Sequence, residues 1–389
     1  MAFFLKPNKF GRLQNWKMKR DQKKKSGERK AVVGEAEDIK QVWTLNEKEA
    51  YVSPSRYKRL PKFIVFFGAV VLLTAMIFWL LPAVVERFYG ISNETPFEIQ
   101  PELIYEKGTA VVSSSFANLM SEPDVGSQRV TQVLFNEPLR ILDMSTSENF
   151  YHVQTTDQLK GYVLRTDVFT DAASAEPNLH KYKIVISDPV KRIMTHATKG
   201  TLQIEVMMNT VLFSDFKGDG VYRVSLPDGK TGWIGSSGVI ELGIKEPLEK
   251  VGARYFVGSV ENFHFVTLID NGATYRGASV EGVVYVCAGI NGLSMPRKME
   301  DQFYQGEEIP LRYDAVTRVL DISLIQPGDL IFFRSPMDLN STMPYEMGVY
   351  TDVGMVLMNH KSRTTLRICD LEGNEELKER VISVRRIFL

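Results

Sequence analysis

The sequence of 389 residues contains little cysteine and little histidine. There are two cysteines, Cys287 and Cys369, and five histidines that lie far apart along the chain. Two cysteines are too few for a disulfide framework or for a zinc finger built on cysteine. The histidines do not follow the HExxH or HxxxH spacing of local metal motifs. We therefore expect no metal and no cofactor.

The chain also lacks net charge, because 47 basic residues balance 47 acidic ones, but the two signs are unevenly distributed. Residues 1–62 carry a net charge of +10, and residues 63–389 carry a net charge of −10. Dense charge runs, such as residues 19–30, are usually solvated. We predict that residues 1–62 form a basic, largely disordered cytoplasmic tail. Its expected contacts are anionic lipid or a cytoplasmic partner.

A single long apolar run interrupts the polar sequence. Residues 63–85 contain no charged side chain. As a helix they span roughly 34 Å, which exceeds a hydrocarbon core of about 30 Å. Lysines and arginines precede the run and glutamates follow it, so the positive-inside rule places the N-terminus in the cytoplasm. The pattern predicts one uncleaved transmembrane helix, since 62 residues precede it and a cleaved signal peptide begins near the N-terminus.

The next region is an internal repeat. The motif Tyr151-His-Val153 recurs as Tyr222-Arg-Val224, and Gly161-Tyr-Val163 recurs as Gly232-Trp-Ile234, both at an offset of 71 residues. A constant offset indicates one structural unit used twice, over residues 105–170 and 180–242. Short strand patterns of this length predict two small β-barrels.

One motif in the second repeat imitates a nucleotide-binding loop. Gly229-Lys230-Thr231 has the ending of a phosphate-binding loop, but position 224, where the first glycine belongs, is a valine. The cradle of backbone amides is then absent. We expect neither nucleotide nor nucleic acid among the partners.

Both repeats resemble the bacterial SH3 (SH3b) family. The resemblance rests on the repeated motifs and on residues 117–123 and 134–138. It covers most of the first unit and the later part of the second. The resemblance implies barrels that bind cell-wall peptides or pack on a catalytic neighbour. Four aromatic side chains are candidates for lining the grooves, the alternative being that they belong to the strand cores: Tyr151, Tyr162, Tyr222 and Trp233.

Residues 250–389 form the last predicted domain, and from about Tyr275 to Leu389 the sequence resembles the NlpC/P60 family of papain-like cysteine peptidases. Residues 327–333, with the sequence PGDLIFF, carry the most specific part of the resemblance, and Met295-Pro-Arg297, Gln302 and Gly306 support it. The resemblance implies an α+β domain that cleaves peptidoglycan stem peptides. It also implies a cysteine at the start of a helix, a histidine on the following sheet and a third polar residue one strand further on. The predicted fold class is therefore α+β: a transmembrane helix, two SH3-like barrels and a papain-like domain.

The residues that the resemblance assigns to catalysis are all replaced. Val280 stands at the cysteine position, Glu346 at the histidine position and Met358 at the third position. A cysteine peptidase needs a thiolate, and none of these side chains supplies a thiol or an imidazole. We predict a pseudoenzyme with no catalytic residue in this family's arrangement.

Together these features predict a non-enzymatic scaffold or adaptor of a bacterial envelope machine. It would cross the inner (cytoplasmic) membrane once, with its C-terminal domains in the periplasm bound to peptidoglycan or envelope proteins, and with homo-oligomers as a further expectation. The alternative is an active peptidoglycan endopeptidase with a rearranged site at Cys287 and His360. A third hypothesis is a sensor of wall fragments.

Overall fold

The computed structural model describes residues 70–72, 74–76, 108–316, 319–359 and 364–388. The chain divides into two units, residues 1–91 and 92–389. In the first unit residues 70–72 and 74–76 are helical, and the Thr74 hydroxyl donates to the carbonyl oxygens of Val70 and Val71 at 3.0 Å. Within these ranges, no helix has the length and apolar character needed to span a bilayer. The predicted tail and most of the predicted membrane helix lie outside the described residues.

The second unit begins with a seven-stranded antiparallel sheet, here called barrel 1, in the order β3-β2-β6-β5-β4-β1-β7. Strand β6 alternates buried with more exposed side chains, whereas all of β1 and the last four residues of β3 are buried. The strands are β1 (Thr109–Val112), β2 (Phe116–Met120), β3 (Arg129–Leu134), β4 (Pro138–Asp143), β5 (Phe150–Gln154), β6 (Lys160–Leu164) and β7 (Val168–Phe169).

A second sheet of seven strands, barrel 2, has the order β10-β9-β13-β12-β11-β8-β14, which is the order of barrel 1 shifted by seven strands. Three short 3-10 helices connect to it: Arg165–Asp167, Ala173–Ala175 and Pro177–Leu179. Its strands are β8 (Tyr182–Ile186), β9 (Val190–Met194), β10 (Leu202–Met207), β11 (Val211–Gly218), β12 (Val221–Ser225), β13 (Thr231–Gly235) and β14 (Val239–Gly243).

The sequence repeat thus corresponds to a repeat of structure, and its glycines have a steric reason. Gly161 is the second residue of β6 and lies where β6 pairs with β2. A Cβ at this position would lie 2.7 Å from Leu119 Cγ and from the carbonyl oxygen of Met120. Gly232 holds the same place between β13 and β9, where a Cβ would lie 2.2 Å from Ile193 Cγ2. Only glycine allows each barrel to close at this crossing.

The C-terminal domain combines four helices with a six-stranded antiparallel sheet in the order β17-β24-β20-β21-β22-β23. Its helices are α1 (Ala253–Glu261), α2 (Val280–Ile290), α3 (Met299–Gln302) and α4 (Glu375–Glu379). The strands of the large sheet are β17 (Glu307–Ile309), β20 (Leu330–Phe333), β21 (Glu346–Asp352), β22 (Met355–Met358), β23 (Arg367–Asp370) and β24 (Val381–Arg386). Two hairpins complete the domain: β15 (Ala273–Thr274) with β16 (Gly277–Ala278), and β18 (Arg312–Tyr313) with β19 (Leu320–Asp321).

Two hydrophobic clusters cover the two faces of this sheet. One contains α1 and α2 and also takes in barrel residues, including Leu134 of barrel 1 and Met207 and Met208 of barrel 2. The other is formed within the C-terminal domain, around Ile331, Phe333 and Met358. Because the first cluster contains residues of all three domains, both barrels and the C-terminal domain pack as one body. The helices and antiparallel sheets of the second unit confirm the predicted α+β class.

The PGDLIFF motif is a turn that starts the central strand β20. Gly328 has a φ of +98°, which favours glycine, and Asp329 is buried. The carboxylate of Asp329 accepts from the backbone nitrogen of Gln326 at 2.8 Å and pairs with Arg386 at 2.8 Å. This pair ties the turn to β24 at the end of the described chain.

Candidate functional site

The start of α2 is held against the loop that precedes it. A Cβ on Gly282 would lie 1.9 Å from the carbonyl oxygen of Gly272, so the first turn of α2 approaches the loop more closely than any other residue allows. The backbone nitrogen of Ser279 donates to the same carbonyl at 3.0 Å, and its hydroxyl donates to it at 3.3 Å. The helix start is therefore fixed by backbone contact.

Barrel 1 holds the other side of this loop. The backbone nitrogen of Ala273 donates to the Gln132 side-chain oxygen at 2.9 Å, and the Asn271 amide donates to the Arg129 carbonyl at 2.7 Å. Arg129 in turn donates to the Asp270 carbonyl at 2.9 Å. These bonds give barrel 1 a direct part in positioning the start of α2.

Val280, at the predicted cysteine position, is buried in the helix-side core and carries no nucleophile. Its neighbour Glu281 is half-buried in the first turn. Burial raises the pKa of the Glu281 carboxyl, and the carboxylates of Glu300 and Asp270 add to the rise, while a hydrogen bond with Ser279 opposes it. Glu281 is thus the residue of the first turn that can exchange a proton.

Glu346, at the predicted histidine position, begins β21 and forms an ion pair with the buried Arg380. Arg380 also donates to the Arg334 carbonyl at 3.0 Å. Met358 lies on the neighbouring strand β22, opposite Gly348, and is fully buried in the second cluster. The structure brings Glu346 and Met358 onto adjacent strands, whereas Val280 lies in the other core.

Cys287 is fully buried on α2, and its thiol contacts Met208 Sδ of barrel 2 at 3.9 Å. Burial raises the pKa of this thiol well above its ordinary value, so a thiolate does not form readily there. His360, its proposed partner, lies outside the described residues. Cys369 is half-buried on β23.

The four aromatic side chains predicted to line grooves occupy two pairs of equivalent strand positions. In barrel 1 the Arg165 guanidinium lies 4.4 Å from the Tyr151 ring, and Tyr162 stacks on His152 at 4.8 Å. In barrel 2 the hydroxyl of buried Tyr222 donates to Glu241, and Trp233 packs edge-on against Phe216 at 5.8 Å. Burial and then the Glu241 hydrogen bond raise the pKa of Tyr222 to about 12. Tyr222 belongs to the core of barrel 2, and the other three are half-buried at its surface or that of barrel 1.

Sequence reasoning missed the role of Arg297, which it used only as part of a motif. Its side chain is 2% exposed and pairs with Glu137 at 2.6 Å and Asp157 at 2.9 Å, both from barrel 1. It also donates to the Gln132 carbonyl at 2.8 Å and lies 4.3 Å from the Tyr285 ring of α2. The sequence shows one basic residue in the C-terminal motif and two acidic residues in the first repeat. Nothing in their spacing along the chain indicates that they form ion pairs.

The electrostatics of this cluster follow from burial. Burial raises the pKa of Glu137, and the nearby Arg297 guanidinium opposes that rise. Burial by itself would lower the pKa of Arg297, but Glu137, Tyr285 and Asp157 outweigh it and raise the pKa. The guanidinium therefore stays charged between its two carboxylates. In the described part of the chain, no cluster of three or more histidine, cysteine or acidic side chains could hold a metal.

Comparison with known proteins identifies relatives of this architecture. A model of the bacterial dipeptidyl-peptidase Sh3 domain matches residues 119–168. Dipeptidyl-peptidase 6 of Lysinibacillus sphaericus is 23% identical over 230 residues, which are 58% of this chain and 81% of that protein. An NlpC/P60 family protein from Bacillus cereus superposes with a TM-score of 0.62 at 17% identity, over 72% of this chain and all of that one. The chain therefore contains an SH3b domain and has the NlpC/P60-like fold that the sequence predicted.

The same comparisons contradict the prediction that the chain is not an enzyme. The relative that covers more than half of the chain is a dipeptidyl-peptidase, and the shared fold is that of a peptidase family. These findings point to a peptidase. The prediction was wrong because it inferred an inactive protein from the substitutions at positions 280, 346 and 358. These substitutions remove one set of reacting groups, and this loss by itself does not establish loss of activity.

Proposed function

We propose that this chain is a peptidase that acts on peptides of the peptidoglycan type through a site rearranged around the start of α2. The fold shared with an NlpC/P60 protein and the similarity to a dipeptidyl-peptidase support this proposal. The observation that carries it is the fixed start of α2, where burial raises the pKa of Glu281 beside a loop that barrel 1 holds in place. Barrel 1 borders this site through its hydrogen bonds to residues 270–273, and we infer that it helps to hold the stem peptide.

Glu281 is the proton-transferring group in this proposal. Its carboxylate takes a proton from water as the water oxygen bonds to the peptide carbonyl carbon. The carboxyl then gives that proton to the departing amine as the carbon–nitrogen bond breaks. A raised pKa suits a group that must both accept and return a proton. The positive end of the α2 helix dipole favours the negative charge that develops on the carbonyl oxygen.

The hydrolysis of purified stem peptides tests this assignment. The full chain is incubated with the peptides, and released products are measured by mass spectrometry. We expect Glu281→Gln to reduce the rate by a factor of about 10² to 10⁴, the usual contribution of a positioned acid–base group. Glu261→Gln, which alters an exposed carboxylate at the end of α1, is the matched control and keeps the wild-type rate.

Cys287→Ala separates this site from the alternative at Cys287 and His360. Because the thiol is buried and its pKa is raised, we expect this variant to retain activity. Loss of activity in Cys287→Ala, with activity unchanged in Glu281→Gln, favours the cysteine-based alternative. Absence of cleavage by the wild-type chain contradicts the proposed peptidase.

We also propose that the chain is anchored in the bacterial cytoplasmic membrane, with residues 108–388 on the outer side. The uncharged run of residues 63–85 and the charge difference on its two sides support this location. The basic residues 1–62 then face anionic lipid or a cytoplasmic partner. Protease treatment of intact spheroplasts tests the orientation: we expect the C-terminal domain to be digested and the tail to be protected. The reverse pattern, or recovery of the chain without membranes, contradicts it.

A further inference from the structure

A cleft of about 740 Å³ follows the outer edge of the C-terminal sheet, and its lining includes no residue of the first turn of α2. The last strand of that sheet, β23, is bordered within the described residues by β22 on one side only. All four residues of β23 line the cleft, together with His264 and residues 373–375. The cleft therefore runs along an edge strand, which presents alternate backbone groups on which another chain can pair.

The two ends of the cleft carry opposite charges. At the start of β23 lie Arg367 and His264. At its end lie the exposed acidic side chains Asp370 and Glu375. Three residue steps of an extended chain, at about 3.4 Å each, separate the ends by about 10 Å. This spacing fits the two charged termini of a peptide of three or four residues.

Arg367 lines the cleft, and its guanidinium is able to bind a carboxylate group. Within the described part of the chain it forms no ion pair, and its Nε is buried without a hydrogen-bond partner. Its guanidinium lies 4.2 Å from the ring of Phe265, and the His264 ring stacks on the same phenyl group at 3.8 Å. Because the guanidinium and the imidazole cannot both occupy the same face of the Phe265 ring, they lie on opposite faces. The ring therefore separates Arg367 from His264 and fixes the orientation of both.

Phe265 is held in this position at a cost in conformational energy. It has a φ of +71° and its side chain is 58% exposed, an unfavourable combination for a bulky apolar residue. A backbone hydrogen bond from Phe265 to the Leu366 carbonyl, at 3.0 Å, fixes it beside the start of β23. Strained residues of this kind cluster at ligand-binding positions.

From this geometry we propose that the cleft along β23 binds a short peptide with free termini as an added antiparallel strand. The peptide carboxylate lies against Arg367 and His264, and its ammonium group lies against Asp370 and Glu375. The direction is antiparallel because the carboxyl end of the ligand meets the amino end of β23. Main-chain pairing supplies affinity in such strand addition, and the terminal charges select the length and direction. This site is separate from the start of α2, and the proposal does not depend on the proposed peptidase activity.

Calorimetric titration of the full chain with tetra-alanine tests the proposal. We expect the peptide with free termini to bind, and amidation of its carboxylate to weaken binding about tenfold, as expected for loss of a charge-assisted contact. Arg367→Gln should cause a similar loss, and amidation should cause no further loss in that variant. Arg312→Gln, which changes an exposed arginine on β18, is the matched control and binds as the wild type does. Performing the titrations in the Glu281→Gln background as well keeps the result independent of hydrolysis.

Hydrogen exchange locates the bound peptide. On addition of tetra-alanine we expect new protection of those backbone amides among residues 367–370 that do not face β22, which are alternate residues of the strand. Protection confined to residues 276–282, equal binding of the amidated peptide, or equal binding by Arg367→Gln would overturn the proposal. Absence of binding by any of the peptides would also overturn it, and would indicate that the charges on β23 serve only to prevent edge-to-edge pairing.

Discussion

Barrel 1 and barrel 2 have the same strand order but are attached to the C-terminal domain by different forces. Barrel 1 provides two carboxylates and a carbonyl to a single buried arginine of the C-terminal domain, Arg297. Barrel 2 packs Met207 and Met208 into the core around α2, and its ion pair there, between Glu205 and Arg276, is exposed. One fold is therefore joined to the same neighbour in two ways: barrel 1 adds buried charge and hydrogen bonds to its apolar contact at Leu134, and barrel 2 relies mainly on apolar contact.

This difference indicates which contact sets the orientation of the barrels on the C-terminal domain. A buried guanidinium between two carboxylates requires particular positions for all its partners, because any displacement leaves a charge unpaired. Apolar contact tolerates small shifts as long as volume is filled. We infer that barrel 1 sets the geometry of the start of α2, and that barrel 2 mainly adds stability.

The largest expected effect is at Arg297. Replacing it with methionine removes the guanidinium and leaves Glu137 and Asp157 buried without a cation. We expect the free energy of unfolding to fall by about 3–5 kcal/mol. Chemical denaturation followed by circular dichroism measures the change. The matched variant Arg276→Met, in the exposed pair of barrel 2, should change it by no more than about 1 kcal/mol. Equal effects of the two variants would remove the distinction between the barrels.

A second variant tests whether barrel 2 is held by volume. Met208 is buried against Cys287, and Met208→Ala leaves a cavity there. We expect a loss of about 2–4 kcal/mol in the free energy of unfolding. Met208→Leu, which conserves volume, should cost less than about 1.5 kcal/mol. If both variants lose the same amount, the contact depends on the sulfur rather than on packing.

The smallest expected effect concerns Tyr222, which is buried in the core of barrel 2. The pKa of Tyr222 is about 12 in the folded chain against an ordinary value of 10.0. Since the unfolded phenol ionises first, Tyr222 lowers the free energy of unfolding as pH rises from 10 to 12. Absorbance titration of tyrosinate should show a late step that Tyr222→Phe reduces. A titration unaffected by Tyr222→Phe would contradict the buried bond to Glu241.

Local patterns in the sequence predicted a large part of the fold. The 71-residue repeat identified two equal units because the closing glycines, Gly161 and Gly232, are required by the same strand crossing. The PGDLIFF motif predicted a turn and a buried strand because Gly328 and Asp329 act within a few residues of each other. The turn depends on neighbours along the chain and the repeat appears as a constant offset, so a sequence displays both directly.

The candidate site was less predictable. The sequence located the start of α2 and identified the substitution at Val280, but it led to the conclusion that activity was lost. It gave no indication that Glu281 is half-buried with a raised pKa, since that depends on Asp270, Glu300 and the packing around them. The edge cleft was also missed, because His264 and Arg367 are about a hundred residues apart and meet only on the ring of Phe265.

The sequence by itself determined the repeated barrels, the α+β domain that follows them and the side chains at each motif position, because these follow from periodicity and short-range spacing. Only the tertiary structure decided that Arg297 joins two domains, that Cys287 is sealed against Met208, and that Arg367 stands beside an open sheet edge. Burial and charge pairing arise between residues distant in the chain, and they set the pKa and the accessibility of each group. Chemical reactivity was therefore decided by the packing of the domains and not by the order of the residues.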